Sequence, residues 1–146
     1  MTKHMPHHFS RERETHLEEI GDYMTSPVIA IDSESSVKQA AQLMHSKQIG
    51  SLLVKKNAEF VGMVAESNLS HRIVGEGLDP ETTKVSKVMT HDLLMMERSK
   101  NVEEANIFMA RNKIRHLCVT ENGKIVGVLS VKDLVSFYAH PRLRTW

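Results

Sequence analysis

The sequence predicts an α/β (α+β) fold of two β-α-β-β-α repeats packed with pseudo-two-fold symmetry. Two observations carry this. First, shifted by 65 residues, the chain lies on itself without a gap. Met24-Thr25 falls on Met89-Thr90, and Val37, Ala40 and Met44 fall on Val102, Ala105 and Met109. Ile49, Leu52 and Val54 fall on Ile114, Leu117 and Val119, Val61-Gly62 on Val126-Gly127, and Leu69 on Leu134. Second, within each copy the apolar spacing passes from strand to helix to two strands to helix in the same order. A single unit of this size cannot cover its own sheet. Two related by a two-fold can, and such a pairing leaves two equivalent clefts of the kind where ligands sit.

Each copy opens with a short apolar strand, Val28 to Ile31 and Leu93 to Met96. A helix follows, marked by Val37, Ala40, Ala41 and Met44 in the first copy and by Val102, Ala105, Phe108 and Met109 in the second. Both helices begin with a cap three residues ahead of Gln or Glu, Ser36…Gln39 and Asn101…Glu104. The cap oxygen accepts a first-turn amide and the later side chain can answer back. A hairpin comes next. In the second copy it runs from Leu117–Val119 through Asn122-Gly123 to Ile125–Leu129, and Asn-Gly suits a turn that needs positive φ at both central residues. Asn57-Ala58 takes that place in the first copy and is the weaker turn. A last helix closes each unit, near Glu66–Val74 and Val131–Ala139.

The expected organisation is an N-terminal tail and helix (1–19), a first domain (20–74), a linker (75–84), a second domain (85–139) and a C-terminal tail (140–146). Gly75, Gly77 and Pro80 break the linker. Ser10 caps a charged helix predicted from Arg11 to about Ile20.

Composition narrows the function. The chain has 146 residues, with 19 Lys and Arg against 18 Asp and Glu. This near balance argues against non-specific nucleic-acid binding, which needs a clustered cationic excess. No apolar run approaches the ~20 residues that span a membrane, and the N-terminus has no secretory apolar core, so a cytoplasmic protein is expected. Cys118 is the only cysteine, so no intramolecular disulfide can form, and its place in an apolar strand reads as core. His4, His7, His8 and His16 have imidazole ligands to offer, but a metal site needs three or four held by structure, and they read as a polar tail; no metal is expected. No Ser-His-Asp set, CxxC pair or glycine-rich phosphate loop is present, which points away from an enzyme.

The repeat, its strand order, the Tyr23-Met24-Thr25 and Val88-Met89-Thr90 openings, the linker Glu76-Gly77-Leu78-Asp79-Pro80 and the stretch Gly127-Val128-Leu129-Ser130-Val131-Lys132-Asp133-Leu134 together resemble a tandem cystathionine-beta-synthase (CBS) domain pair, or Bateman module, of the stand-alone bacterial type. The resemblance covers about residues 18 to 139. It implies a regulatory module that binds an adenine nucleotide between the copies, AMP first, with ATP, ADP or S-adenosylmethionine as further candidates. It also implies a homodimer forming a four-domain disc that signals to a downstream protein.

The family pattern carries over onto Ser130 and Asp133, with the Asp accepting from both ribose hydroxyls and the Ser beside the ligand. A fixed carboxylate suits a cis-diol, and first-turn amides favour anions. Ser-x-x-Asp is equally a capping box, and both roles can hold together. The copy-one counterparts are Ala65 and Asn68, so the resemblance implies unequal clefts. The better one combines Thr25, Pro27, Val28, Ile29 and Ala30 with Ser130, Lys132 and Asp133, while Arg115 and His116 face phosphate. The weaker one pairs Asn68 with Thr90, Asp92, Leu93 and Leu94. Val28 and Ile29 are core candidates as well, and Arg115 and Lys132 are also ordinary surface cations. The competing function is a ligand-free interaction or scaffold pair, with the degenerate first copy on its side.

Overall fold

Serine and asparagine caps start the two long helices as their sequence directs. In the computed structural model, which describes residues 18–139, Ser36 Oγ accepts from the Gln39 amide at 3.1 Å, and Gln39 Oε1 accepts from the Ser36 amide at 2.9 Å. Asn101 Oδ1 accepts from the Glu104 amide at 2.8 Å, but here the reply runs between side chains, Asn101 Nδ2 to Glu104 Oε1. Both helices end on a left-handed residue, Gln48 and Lys113. The elements are β1 (Ala30–Asp32), α1 (Val37–Lys47), β2 (Ser51–Lys56), β3 (Glu59–Ala65) and α2 (Glu66–Asn68), which runs on into a π-wound stretch, Leu69–Val74. They continue with α3 (Val85–Val88), β4 (Met95–Glu97), α4 (Val102–Asn112), β5 (His116–Glu121), β6 (Lys124–Ser130) and α5 (Val131–Ala139).

Each repeat forms its own three-stranded sheet, β1-β2-β3 and β4-β5-β6. The outer strand is parallel to the middle one, and the hairpin is antiparallel. The opening strands begin two residues later than the apolar runs suggest, because ladder pairing starts at Ala30↔Leu53 and Met95↔Cys118. Ile29 still accepts from the Leu53 amide, and Leu94 from that of Cys118. Both hairpins bulge at the same place, Val54/Lys55 and Val119/Thr120. Asn122 and Gly123 take positive φ at 53° and 79°, as an Asn-Gly turn requires. Asn57 and Ala58 do the same at 51° and 68°, so an alanine carries a backbone conformation that costs an L-residue roughly 1–2 kcal/mol.

The compact units are not the sequence repeats. Among the described residues, one comprises 28–93 and the other comprises 18–27 together with 94–139. The reason is an exchange of entry segments. Ile20 opens a single 3-10 turn, Ile20–Asp22, and is fully buried among Val102, Ala105, Met109, Leu117 and Leu129. Tyr23 and Met24 pack against the same cluster, with the Tyr23 ring edge-on to Phe137 at 4.8 Å. In the other unit, α3 does the equivalent task. Val85 and Val88 are buried with Val37, Ala40, Leu52, Val54 and Val64. Each such side chain contributes roughly 1.5–3 kcal/mol when fully buried.

Cys118 is buried in β5, and burial pushes its thiol up to about 11. Most of the helix predicted from Arg11 lies outside the described residues, as do His4, His7, His8, His16 and the tail from 140. At its described end the chain is not α-helical, since Glu19 bridges Asn101. Among the described residues no helix is long and apolar enough to cross a membrane.

Candidate functional site

The site builds from glycine. Gly127 lies in β6, and a Cβ there would stand 2.9 Å from Met24 Cγ and 3.0 Å from the Thr25 carbonyl oxygen. Only a missing side chain lets the entry segment come this close. Thr25 then pairs with Val128 through both backbone bonds, 2.8 and 3.1 Å. Two residues further on, β6 ends at Ser130 and α5 begins. Thr25 is thereby tied to the strand that delivers Ser130 and Asp133.

Ser130 and Asp133 form a reciprocal cap. The Asp133 amide donates to Ser130 Oγ at 3.1 Å, while the Ser130 amide and hydroxyl both donate to Asp133 Oδ2, at 2.8 and 3.0 Å. The capping role is therefore real, and it uses one carboxylate oxygen. Among the described residues no hydrogen bond reaches Oδ1. A half-buried carboxylate held by one oxygen presents the other as a strong acceptor for hydroxyl donors.

The remaining candidates separate by unit. Thr25 and Pro27 are exposed and belong with Asp133. Val28, Ile29 and Ala30 are half-buried members of the other unit. Arg115 and Lys132 are exposed beside the start of α5, where the Val131 amide donates to the Arg115 carbonyl at 3.0 Å. His116 pairs with Ser130 across β5 and β6. Two cations, Arg115 and Lys132, and the imidazole of His116 thus belong to the segments that meet at the first turn of α5.

The copy-one counterpart is closed on itself. Gly62 admits the Thr90 carbonyl, to which a Cβ would come within 2.7 Å, and Thr90 bridges Met63. Asn68 Oδ1 accepts the Ala65 amide at 2.8 Å. Its Nδ2 donates to the Val88 carbonyl at 3.0 Å and reaches Thr90 Oγ1 at 3.4 Å. Both polar atoms of Asn68 are used. Thr90 and Asp92 are exposed and Leu93 half-buried in this unit, whereas Leu94 counts with the other.

Reasoning from sequence passed over Tyr23, Met24 and the role of the two glycines. The signal was present in the repeat, where Met24-Thr25 aligns with Met89-Thr90 and Gly127 with Gly62. Among the described residues no group of three or more His, Cys, Asp or Glu is placed to hold a metal ion.

A sheet triplet that occurs twice, with entry segments exchanged and a capped helix at the end of each third strand, defines a class of paired domains. The model of the CBS domain family matches residues 20–75 and 85–140, and the chain belongs to that family. It is similar to the CBS domain-containing protein YhcV of Bacillus subtilis, 28% identical over 115 residues, which are 79% of this chain and 81% of YhcV. Three CBS domain-containing proteins of Arabidopsis thaliana are 28% to 33% identical over 107 residues, and the chain spans about a fifth of their length. A crystal structure of an uncharacterized conserved protein from Pyrococcus horikoshii superposes with a TM-score of 0.78 at 30% identity, covering 83% of this chain and 92% of that one. The CBS domain pair of protein MJ0100, solved in complex with methylthioadenosine and S-adenosyl-L-methionine, matches in fold with a TM-score of 0.74 at 17% identity, over 83% of this chain and 95% of that one. A CBS pair is a regulatory, ligand-binding module.

Proposed function

We propose that the protein is a cytoplasmic sensor that binds one adenine nucleotide per chain at Asp133 and passes the bound state to a protein partner. The observation that carries the reading is the uncommitted Oδ1 of Asp133. The ribose hydroxyls donate to it, the Ser130 hydroxyl lies beside the ligand, and Arg115, His116 and Lys132 neutralise phosphate. Thr25 and Pro27, in the same unit as Asp133, read the adenine edge. AMP fits first, because this set of cations suits a single phosphate. The adenosine ligands of the MJ0100 pair support the chemical class. Copy one, with Asn68 already bonded, takes no second nucleotide. The sensor is a homodimer, and its ligand acts by favouring one of two arrangements of the pair.

The test is thermal unfolding of dialysed protein with AMP, ADP, ATP, NAD or S-adenosylmethionine. Ligand at 100 times its Kd stabilises by about 2.7 kcal/mol, a shift of several degrees. A shift with one of them, weakened in Asp133→Asn, is the expected outcome. No shift with any of the five overturns the reading in favour of a ligand-free scaffold pair.

A further inference from the structure

Each entry segment carries a methionine at the same place, Met24 and Met89, and each methionine covers a glycine at the same place in a third strand, Gly127 and Gly62. A Cβ at Gly62 would stand 2.6 Å from Met89 Sδ, and at Gly127 Met24 Sδ is the nearest atom to that point outside the neighbouring residues. The thioether therefore fills the space that a side chain would take on β3 or β6. Both methionines are half-buried and pack against the apolar cluster of their own unit. The next residue of each segment makes paired backbone bonds to that strand, Thr25 with Val128 at 2.8 and 3.1 Å and Thr90 with Met63 at 2.8 and 2.9 Å. The residue before Met89, Val88, receives the Asn68 amide on its carbonyl. Each sulfur is thus packed where an entry segment is fastened.

Thioether chemistry gives this position a consequence. A thioether needs no ionisation to react with a peroxide. Its sulfur lone pair attacks one peroxide oxygen, the O–O bond breaks, and thioether plus hydrogen peroxide becomes sulfoxide plus water. Sulfur is oxidised by two electrons and the peroxide is reduced by two. The product is polar and chiral where the thioether was apolar. Its oxygen has no place between a backbone and an apolar cluster without a hydrogen-bond partner. The other methionines among the described residues lack one condition or the other. Met44, Met63 and Met109 are 5%, 8% and 2% exposed and shielded from water, whereas Met95 is 45% exposed, so a sulfoxide there stays solvated. Met96 is half-buried but held in the β4 ladder opposite Val119. Cys118 is buried with its thiol pushed up to about 11, so peroxide meets no thiolate there.

We propose that Met24 and Met89 are peroxide modification sites, and that a sulfoxide at either one loosens its entry segment from the third strand beneath it. A thiol-dependent methionine sulfoxide reductase reverses the step, two thiols giving a disulfide and the oxygen leaving as water. The proposal concerns the protein free of nucleotide and is tested on it, so it and the sensor reading can fail separately.

The test treats the full chain with millimolar hydrogen peroxide and follows each methionine by peptide mass mapping, alongside the circular-dichroism melt and amide hydrogen exchange. Met24, Met89 and the exposed Met95 are expected to gain oxygen well ahead of Met44, Met63 and Met109. The melting temperature is expected to fall by several degrees in step with Met24 and Met89, with exchange rising at the Thr25, Val128, Met63 and Thr90 amides. Reductase with a thiol is expected to restore all of these. Leucine keeps the volume but cannot be oxidised, so the double variant Met24→Leu, Met89→Leu is expected to melt within a few degrees of the untreated wild type and to ignore peroxide. The wild-type mapping and exchange decide the matter even if that variant does not fold. Oxidation of Met24 and Met89 no faster than of Met44 and Met109 overturns the proposal. So does their full oxidation with an unchanged melt and unchanged exchange, or an equal fall in the double variant.

Discussion

Asn68 and Asp133 occupy the same place in the two repeats, and they differ by an amide against a carboxylate. Both cap the last helix by accepting a backbone amide at 2.8 Å, from Ala65 and Ser130. The amide nitrogen of Asn68 then donates across to the Val88 carbonyl, fastening the helix to the exchanged entry segment. A carboxylate has no hydrogen to donate, so Asp133 makes no such tie and keeps an oxygen available. One substitution thus trades an internal latch for an acceptor. The first copy has committed this side chain to its own packing, and the second has kept one acceptor uncommitted.

The difference between the copies rests on the exchange of entry segments. Ile20→Ala removes a fully buried side chain from the core of copy two and is expected to cost about 3 kcal/mol in urea unfolding. A cost below about 1 kcal/mol would mean that the segment is not anchored there. Next come the glycines. Gly62→Ala drives a Cβ against a backbone oxygen at 2.7 Å, Gly127→Ala against one at 3.0 Å. Overpacking of this kind costs about 1–3 kcal/mol, and Gly62→Ala is expected to be the worse of the two by melting temperature. Equal melting points would show that the two entry segments yield alike.

The latch itself is tested by Asn68→Asp, which sets a carboxylate against the Val88 carbonyl. It is expected to destabilise by about 2 kcal/mol, the cost of an unmade bond plus repulsion. The reverse change, Asp133→Asn, retains an acceptor for the Ser130 amide, so the melt of the free protein should hardly move. Nucleotide affinity, measured calorimetrically, should fall about tenfold, because neutral hydrogen bonds are roughly half as strong as charge-assisted ones. Unchanged affinity would remove Asp133 from the site. The smallest effect is in the turns. Ala58→Gly gives copy one the turn chemistry that copy two already has and should stabilise by about 1 kcal/mol.

Much of the local structure was legible in the residues. The caps at Ser36 and Asn101, the positive-φ turn at Asn122-Gly123 and the buried faces of both long helices follow from rules that act over three or four residues. The family was legible because the repeat checks itself. The capping bond of Ser130 and Asp133 was equally readable, since its spacing is local. The π-winding of Leu69–Val74 was not, because no short-range pattern distinguishes it from an ordinary helix.

Local residue patterning sets which elements form, in what order, and that they form twice. Which sheet each entry segment covers is a matter of long-range packing. Ile20 and Val85, or Met24 and Met89, are alike in kind, so either segment satisfies either sheet as far as local patterning goes. Partner choice is settled by long-range packing, by which glycine admits which backbone. The fate of Asn68 was settled in the same way. Its amide is a latch only because the exchanged segment brings the Val88 carbonyl within 3.0 Å of it.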